Sequence, residues 1–371
     1  LWEVVSGAFR QLTNTLPPVV NREPFPSDSA KCIAFVSNGD LDNNDGSDAA
    51  NNPGTGFRNP DGSFEVFLYS RLTDEGFPGS GNFTQVSNAP SNAWESAHPV
   101  VGGYWFGRQC QTTAYVSDFD QLGGGRTGRK VFEFDRNSGA TLDLEAPKEI
   151  PWGISGAPGD YLWPSISSAS QFARGPFIVF QTDADLWRNG SEGFEVFRYR
   201  VFHSRMTQYT DVLSGDVQRP VISDGGGVLA FQSTGEMLDP QAGARLGMPG
   251  PWNADGNSEI FRLEGRRNLE QLTDSAGCDN TLPSLRDDGT WIAFRSDCDL
   301  MGLNPGNVPQ VFLWRAVEPD DPLAGSACRV EDGCCNEANG CYGGVAGEKP
   351  KVRRRDCAAK GSGDGCKLPP T

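Results

Sequence analysis

Three groups of residues have types and spacings suited to chemistry. The first is the acidic set Asp40, Asp42, Asn44, Asp45 and Asp48, within Asn38-Gly-Asp-Leu-Asp-Asn-Asn-Asp-Gly-Ser-Asp48. Its hard oxygen donors fall at near-alternate positions, which is the donor set Ca²⁺ takes. The glycine stands one place late for an EF-hand-type loop and no glutamate closes the set, so an ordinary Asn/Asp turn competes with the calcium reading. The second group is the ten cysteines, set beside only two histidines. No C-x-x-C pair exists, which removes zinc ribbons, thioredoxin-like redox pairs and covalently attached c-type haem.

The third group contains the groups able to catalyse. His98 precedes Pro99, His203 sits in a turn, and no G-x-S-x-G accompanies either, so both read as structural histidines and no nucleophile triad is indicated. Acidic residues recur after one repeated strand, as Asp40, Asp120, Asp185, Glu236 and Asp299. Recurrence in every copy suits a turn role better than one active site. Trp152, Tyr161 and Trp163, in the Gly- and Pro-bearing stretch 147–163, could stack on a sugar, but packing between repeats is the commoner use. Arg126, Arg129 and Lys130 read as a solvated basic loop, and Gly102-Gly103 and Gly123-Gly124-Gly125 as turns.

The elements that position these residues come from one repeated unit, clearest at Pro283-Ser-Leu-Arg-Asp-Asp-Gly-Thr-Trp-Ile-Ala-Phe-Arg-Ser296. Asp288-Gly289 supplies a hairpin turn between a short strand and an apolar one. The second strand recurs as Ile33-Ala-Phe-Val-Ser37, Thr113-Ala-Tyr-Val-Ser117, Ile178-Val-Phe-Gln-Thr182, Leu229-Ala-Phe-Gln-Ser233 and Ile292-Ala-Phe-Arg-Ser296. Third strands follow as Phe64 to Tyr69, Lys130 to Phe134, Phe194 to Tyr199, Ser258 to Leu263 and Gln310 to Trp314. Short polar fourth strands follow as Thr84-Gln-Val-Ser87, Thr207-Gln-Tyr-Thr210 and Glu270-Gln-Leu-Thr273. Four strands per unit predict an all-β propeller, because no single sheet can bury both its faces without neighbours. On that frame Phe35, Tyr115, Phe180, Phe231 and Phe294 should occupy equivalent buried places between blades.

The repeats resemble the TolB family of periplasmic propellers and its secreted bacterial relatives. The match is best at Pro220 to Phe231 with Asn253-Ala-Asp-Gly-Asn-Ser-Glu-Ile-Phe261, and at Pro283 to Phe294. The resemblance covers residues 1–317 and implies a propeller fold. It says little of function, since the same propeller serves binding proteins, peptidase domains and lyases. Leu1-Trp-Glu-Val-Val to Gln11-Leu-Thr-Asn14 matches a third and fourth strand with no first and second before them. The count favours six blades, one incomplete, over a closed five.

Residues 318–371 form a second, loop-rich region holding Cys328, Cys334, Cys335, Cys341, Cys357 and Cys366. An even, clustered set in a core-poor tail predicts disulfides and an oxidising compartment: periplasm, secretion or the bacterial cell surface. These six would form three bridges, with 15 connectivities, Cys334 and Cys335 taking different partners. Cys278 and Cys298 flank one hairpin and should bond to each other; Cys32 and Cys110 remain, with their pairing open.

Lys plus Arg total 32 against 48 Asp plus Glu, a net charge of −16, which argues against nucleic acid and anionic membrane as partners. No apolar run approaches the roughly 18 residues of a membrane span, so no membrane insertion is expected. The reading is a non-catalytic extracytoplasmic binding or scaffold propeller, with no catalytic residues assigned and a protein or glycan partner on its loop-rich face. Two alternatives stand beside it: a carbohydrate lyase or hydrolase using channel carboxylates, and a subunit of a surface appendage docking through the tail. No cofactor beyond Ca²⁺ is indicated.

Overall fold

The computed structural model describes residues 2–3, 8–9, 11–27, 31–41, 59, 61–70, 82–105, 108–120, 128–135, 140–143, 159–168, 176–186, 193–201, 205–212, 214–238, 253, 255–265 and 268–316. The cysteines of the tail, the loop ligands Asp42, Asn44, Asp45 and Asp48, and Arg126, Trp152 and His203 lie outside this set.

Among the described residues the elements are strands, which make five successive antiparallel sheets of three or four strands, termed blades 1 to 5, and two two-stranded pairs, Trp2–Glu3 with Ala8–Phe9 and Asp211–Val212 with Met237–Leu238. Blade 1 holds Asn21–Pro26, Cys32–Ser37, Glu65–Ser70 and Asn82–Gln85 in that order. Blade 2 holds Ser96–Trp105, Arg108–Ser117, Lys130–Asp135 and Ala140–Asp143. Blade 3 holds Tyr161–Ile166, Phe177–Thr182, Glu195–Arg200 and Arg205–Gln208. Blade 4 holds Val217–Ile222, Val228–Ser233, Glu259–Glu264 and Asn268–Gln271. Blade 5 has three strands among the described residues, Asn280–Leu285, Trp291–Ser296 and Gln310–Arg315. First strands of successive blades pack against one another, so they form the inner edge of a propeller arrangement.

The periodicity of the second and third strands explains the packing. Phe35, Tyr115, Phe180, Phe231 and Phe294 lie directly opposite Phe67, Phe132, Phe197, Phe261 and Phe312 in strand register. Each of the five pairs is stacked, with ring centroids 5.6 to 6.3 Å apart. The opposite sheet face carries small aliphatic residues, because side chains alternate along a strand. Ala34, Val36, Val66 and Leu68 of blade 1 therefore receive Tyr115 and Phe132 of blade 2. The same aromatic-into-aliphatic fit joins blades 2 and 3, 3 and 4, and 4 and 5. On blade 5 the aliphatic face is bare: Val311 is 81% and Leu313 62% exposed, where Val66 and Leu68 are 0% exposed.

Backbone bonds repeat at every junction. Ser96, Tyr161, Val217 and Asn280, each at the start of a first strand, donate N–H to the carbonyls of Phe64, Arg129, Phe194 and Ser258 of the preceding blade. Asp118, Asp183 and Asp297, just after second strands, accept from the N–H of Glu95, Asp160 and Asp279 within their own blades. Buried carboxylates tie third strands to the segment beyond the fourth. Glu65 accepts from Ser87 and the Ala89 N–H, Glu195 from Thr210 and the Val212 N–H, and Glu259 from the Ser275 hydroxyl and N–H. Fourth strands thus end at Gln85, Gln208 and Gln271, two residues earlier than the sequence pattern suggests, and Ser87, Thr210 and Thr273 turn to bond the third strand.

Three sequence readings are corrected. Gly102 is inside a long first strand and not at a turn; a Cβ there would sit 3.0 Å from the Ile166 side chain of blade 3. Tyr161 and Trp163 belong to the first strand of blade 3, not to a loop. Lys130 is buried, its Nζ donating to the Gly159 carbonyl at 2.9 Å and lying 4.5 Å from the centre of the Tyr161 ring.

Among the described residues there are two disulfides, Cys278–Cys298 across one hairpin and Cys32–Cys110 between the second strands of blades 1 and 2. The strand pair Trp2–Glu3 and Ala8–Phe9 precedes blade 1. Leu12 then packs on the aromatic face of blade 1, and Gln11 donates its amide to the Thr13 carbonyl as Gln85 and Gln208 do two residues on.

Removing one ring of a stacked pair leaves a cavity between two blades. Phe231→Ala should cost about 3 to 5 kcal/mol in urea unfolding. Val311→Ala, on the bare face, should stay within about 0.5 kcal/mol.

Candidate functional site

Every first strand is interrupted by a bulge at an x-Pro pair. The register shifts fall between Arg22 and Phe25, Ala97 and Val100, Leu162 and Ser165, Gln218 and Val221, and Thr281 and Ser284. Proline lacks the N–H a ladder needs, and it disfavours a right-handed helical conformation in the residue before it. Glu23, His98, Trp163, Arg219 and Leu282 accordingly stand at φ of 52°, 50°, 53°, 54° and 55°. Non-glycine residues at positive φ are uncommon, and five in one structural position make a ring of local strain along the inner edge. The preceding blade holds three of them by their N–H groups: Glu23 Oε2 accepts from His98 at 2.7 Å, Gln181 Oε1 from Arg219 at 2.8 Å and Gln232 Oε1 from Leu282 at 2.8 Å.

Four of the five side chains meet in one row. The Glu23 carboxylate lies 3.4 Å from His98 Nδ1. The His98 and Trp163 rings are 3.7 Å apart between centroids and inclined by 32°. The Arg219 guanidinium carbon is 3.1 Å from the Trp163 ring centre. A carboxylate, an imidazole, an indole and a guanidinium from blades 1, 2, 3 and 4 are therefore in sequence along the inner edge.

Electrostatics follow from this geometry. Burial pushes the His98 imidazole below its ordinary range; Glu23 opposes that, and Arg219, Arg129 and Arg22 reinforce it. Burial likewise lowers Arg219. Arg22 is committed elsewhere, to Glu95 and Glu23 and over the Phe64 ring. His98 at neutral pH is thus an uncharged base, with its second ring nitrogen uncommitted among the described residues.

The row lies at the end that carries the inserted loops. Asn21, Ser96, Tyr161, Val217 and Asn280 pair with the last residues of the second strands, Ser37, Ser117, Thr182, Ser233 and Ser296. From there the chain leaves for the third strand, so the insertions begin one or two residues from the rim row.

The readings of single residues fare differently. His98, read as a lone structural histidine, is at the centre of the row. Trp163 does pack between blades, but at the inner rim. Of the recurrent acids, Asp40 caps the Asn59 N–H and Asp299 the Asn304 N–H, both loop duties. Among the described residues only Glu23 brings a carboxylate to the row. Cys278, Asp297 and Cys298 lie together, but both sulfurs are spent in the disulfide. The row itself escaped sequence reasoning, although its signal was present as five x-Pro pairs in repeat register.

No protein-family model and no curated protein sequence matches the chain. Solved structures that resemble it include the putative TolB from Agrobacterium tumefaciens, at 15% identity over 80% of this chain and 78% of that one, with a TM-score of 0.42. TolB from Acinetobacter baumannii is similar at 12% identity over 75% of this chain and 48% of that one, with a TM-score of 0.39. An oligogalacturonate lyase from Vibrio parahaemolyticus is similar at 8% identity over 85% and 71%, with a TM-score of 0.48. The likeness is one of fold and says nothing of chemistry.

One buried acid lies apart from the row. Glu133, on the third strand of blade 2, is 3% exposed and its Oε2 has no hydrogen-bond partner. Burial, helped by the charge of Asp135, pushes its carboxyl up to about 7 from an ordinary 4.5. The folded state therefore holds a proton there that the unfolded chain releases, and stability falls as pH rises through that window. The full penalty above pH 7 is roughly 3 kcal/mol. Urea midpoints measured from pH 5 to 8 should decline for the parent protein and flatten in Glu133→Gln.

Proposed function

We propose that the chain is a non-catalytic binding propeller that works outside the cytoplasm and takes a protein partner at the loop-bearing mouth of its inner rim. The observation that carries this reading is the rim row. Five blades repeat one strained backbone frame, yet the frame presents Glu23, His98, Trp163, Arg219 and Leu282 in turn. A frame serving architecture alone would relieve its strain with glycine or asparagine. Different large side chains on a repeated frame support a site built for one asymmetric ligand. The disulfides support an oxidising compartment. No helix is long and apolar enough to cross a membrane among the described residues.

The same reading counts six blades, with residues 2–15 as the outer half of the one before blade 1. Leu12 and Gln11 support this by copying fourth-strand contacts. Two further proposals concern segments outside the described residues: Ca²⁺ in the loop from Asp40 to Asp48, and docking of a neighbour through the cysteine-rich tail. Calorimetry should show saturable Ca²⁺ binding that Asp42→Ala weakens; no binding at millimolar Ca²⁺ leaves the turn reading.

A second reading, a lyase, is favoured by one observation: a histidine held neutral at pH 7 two residues along the row from an arginine, a base beside a cation. Incubation with oligogalacturonate, followed by the ultraviolet absorbance of an unsaturated product, separates the two. No unsaturated product is expected, and turnover abolished by His98→Ala would replace the first reading with the second. For the binding reading itself, peptides retained by the parent protein on an array should be lost in Trp163→Ala and Leu282→Asp. They should be kept in Val311→Ser, on the bare face of blade 5. Retention by both rim variants would move the site away from the rim.

A further inference from the structure

We propose that the inner rim seats a carboxylate of a peptide partner on the Arg219 guanidinium, with His98 raising the affinity when it takes up a proton. This deepens the reading above and rests on the rim being the binding place; it adds the group the partner must bring there.

Among the described residues Arg219 has neither an ion pair nor a hydrogen bond, whereas Arg22, Arg262 and Arg198 each have one or the other. Arg22 pairs with Glu95 and Glu23, and Arg262 with Glu264 and Glu270. Arg198 lies between the Phe177 and Tyr209 rings and donates to the Gly226 carbonyl. The Arg219 side chain has the face of Trp163 and, among the described residues, no ion pair or hydrogen bond. The chain has 48 acidic side chains against 32 basic ones, yet none of the described ones is a counter-ion to this cation. Desolvating a charge without a partner is costly, so a partner from outside gains what the fold withholds.

The geometry selects the kind of anion. A guanidinium stacked on an indole keeps its in-plane N–H donors free, and two parallel donors match the two oxygens of a carboxylate. A doubly charged phosphate would meet one open guanidinium and a neutral imidazole inside a field of net charge −16. Sugar stacking is disfavoured because the Trp163 ring already has His98 3.7 Å and the Arg219 guanidinium carbon 3.1 Å from its centre. A carboxylate on a peptide, at a side chain or at the C-terminus, needs no open aromatic face.

His98 makes the seat sensitive to pH. The charged groups that face it are Glu23 and Arg22 from blade 1, Arg129 from the entry to the third strand of blade 2, and Arg219 from blade 4. The Glu23 carboxylate, 3.4 Å from His98 Nδ1, stabilises the imidazolium, while the three arginines oppose it. A bound carboxylate adds a second negative charge near the ring. Protonation and ligand binding therefore favour one another, and affinity rises as pH falls through and below the ordinary histidine range.

The test uses the whole chain and two N-acetylated peptides. One, Gly-Gly-Glu-Gly amide, carries its carboxylate on a side chain, and the other, Gly-Gly-Gly, has a free C-terminus. Each is compared with its uncharged counterpart, and trigalacturonate is titrated beside them. The Nε–H signal of Arg219 in ¹⁵N nuclear magnetic resonance, assigned by its loss in Arg219→Lys, reports occupancy directly. Saturable shifts are expected with the charged peptides and none with the neutral ones. Arg219→Gln should weaken binding at least tenfold, by calorimetry. His98→Gln should bind at pH 7.5 and lose the gain in affinity at pH 5.5. Equal response to charged and neutral peptides overturns the carboxylate seat while keeping the rim as a binding place. No response to any probe overturns the seat. Tighter binding of trigalacturonate than of either peptide overturns the choice of partner.

Discussion

The structure depends on a stacked pair of aromatic rings, one on the second strand and one on the third, set into the small aliphatic face of the blade before. Phe35 with Phe67, Tyr115 with Phe132, Phe180 with Phe197, Phe231 with Phe261 and Phe294 with Phe312 are the same interaction five times. Each pair contributes about 0.5 to 1.5 kcal/mol beyond the area it buries. Its geometric effect is larger than its energy. Bulky residues on one face and alanine or valine on the other give every sheet a convex and a receiving side, so blades stack in one direction. That stacking presses successive first strands together, and the bulged x-Pro pairs are brought into one row only because the strands beneath them are fixed.

Charge is distributed with the same division of labour. Asp118, Asp183 and Asp297 cap strand entries, while Glu65, Glu195 and Glu259 are buried against serine or threonine hydroxyls and backbone N–H groups. Many of the acidic residues that make the chain strongly negative are therefore structural acceptors. In blade 2 the equivalent third-strand position is Lys130, which donates to Gly159 where Glu65, Glu195 and Glu259 of blades 1, 3 and 4 accept. The repeat tolerates a reversal of sign because what it requires at that place is a satisfied polar group.

The inner row is where the repeated scaffold brings unlike side chains together. Its frame is set by proline and by N–H acceptors from the neighbouring blade, which are features of architecture. Its side chains share no type, and both His98 and Arg219 lie against the Trp163 ring. Among the described residues the row leaves the Arg219 guanidinium and one imidazole nitrogen of His98 without a hydrogen-bond partner.

The strand order, the repeated unit and the buried phenylalanines were legible in the sequence, because alternation with a period of two states which residues share a sheet face. The turn chemistry of Asp288-Gly289 likewise marks its hairpin without any partner. Cys278 and Cys298 belong to the same class, since a hairpin brings its two ends together by local geometry alone. His98, Glu23 and Arg219 were not legible as a group. They are 75 to 196 positions apart along the chain, and nothing in local pattern relates them. The same holds for Cys32 and Cys110, which are 78 positions apart and meet only because two blades pack. Residue types and their periods determined the blades; the contact between blades, a product of packing that no single repeat encodes, decided which unlike side chains face one another at the rim.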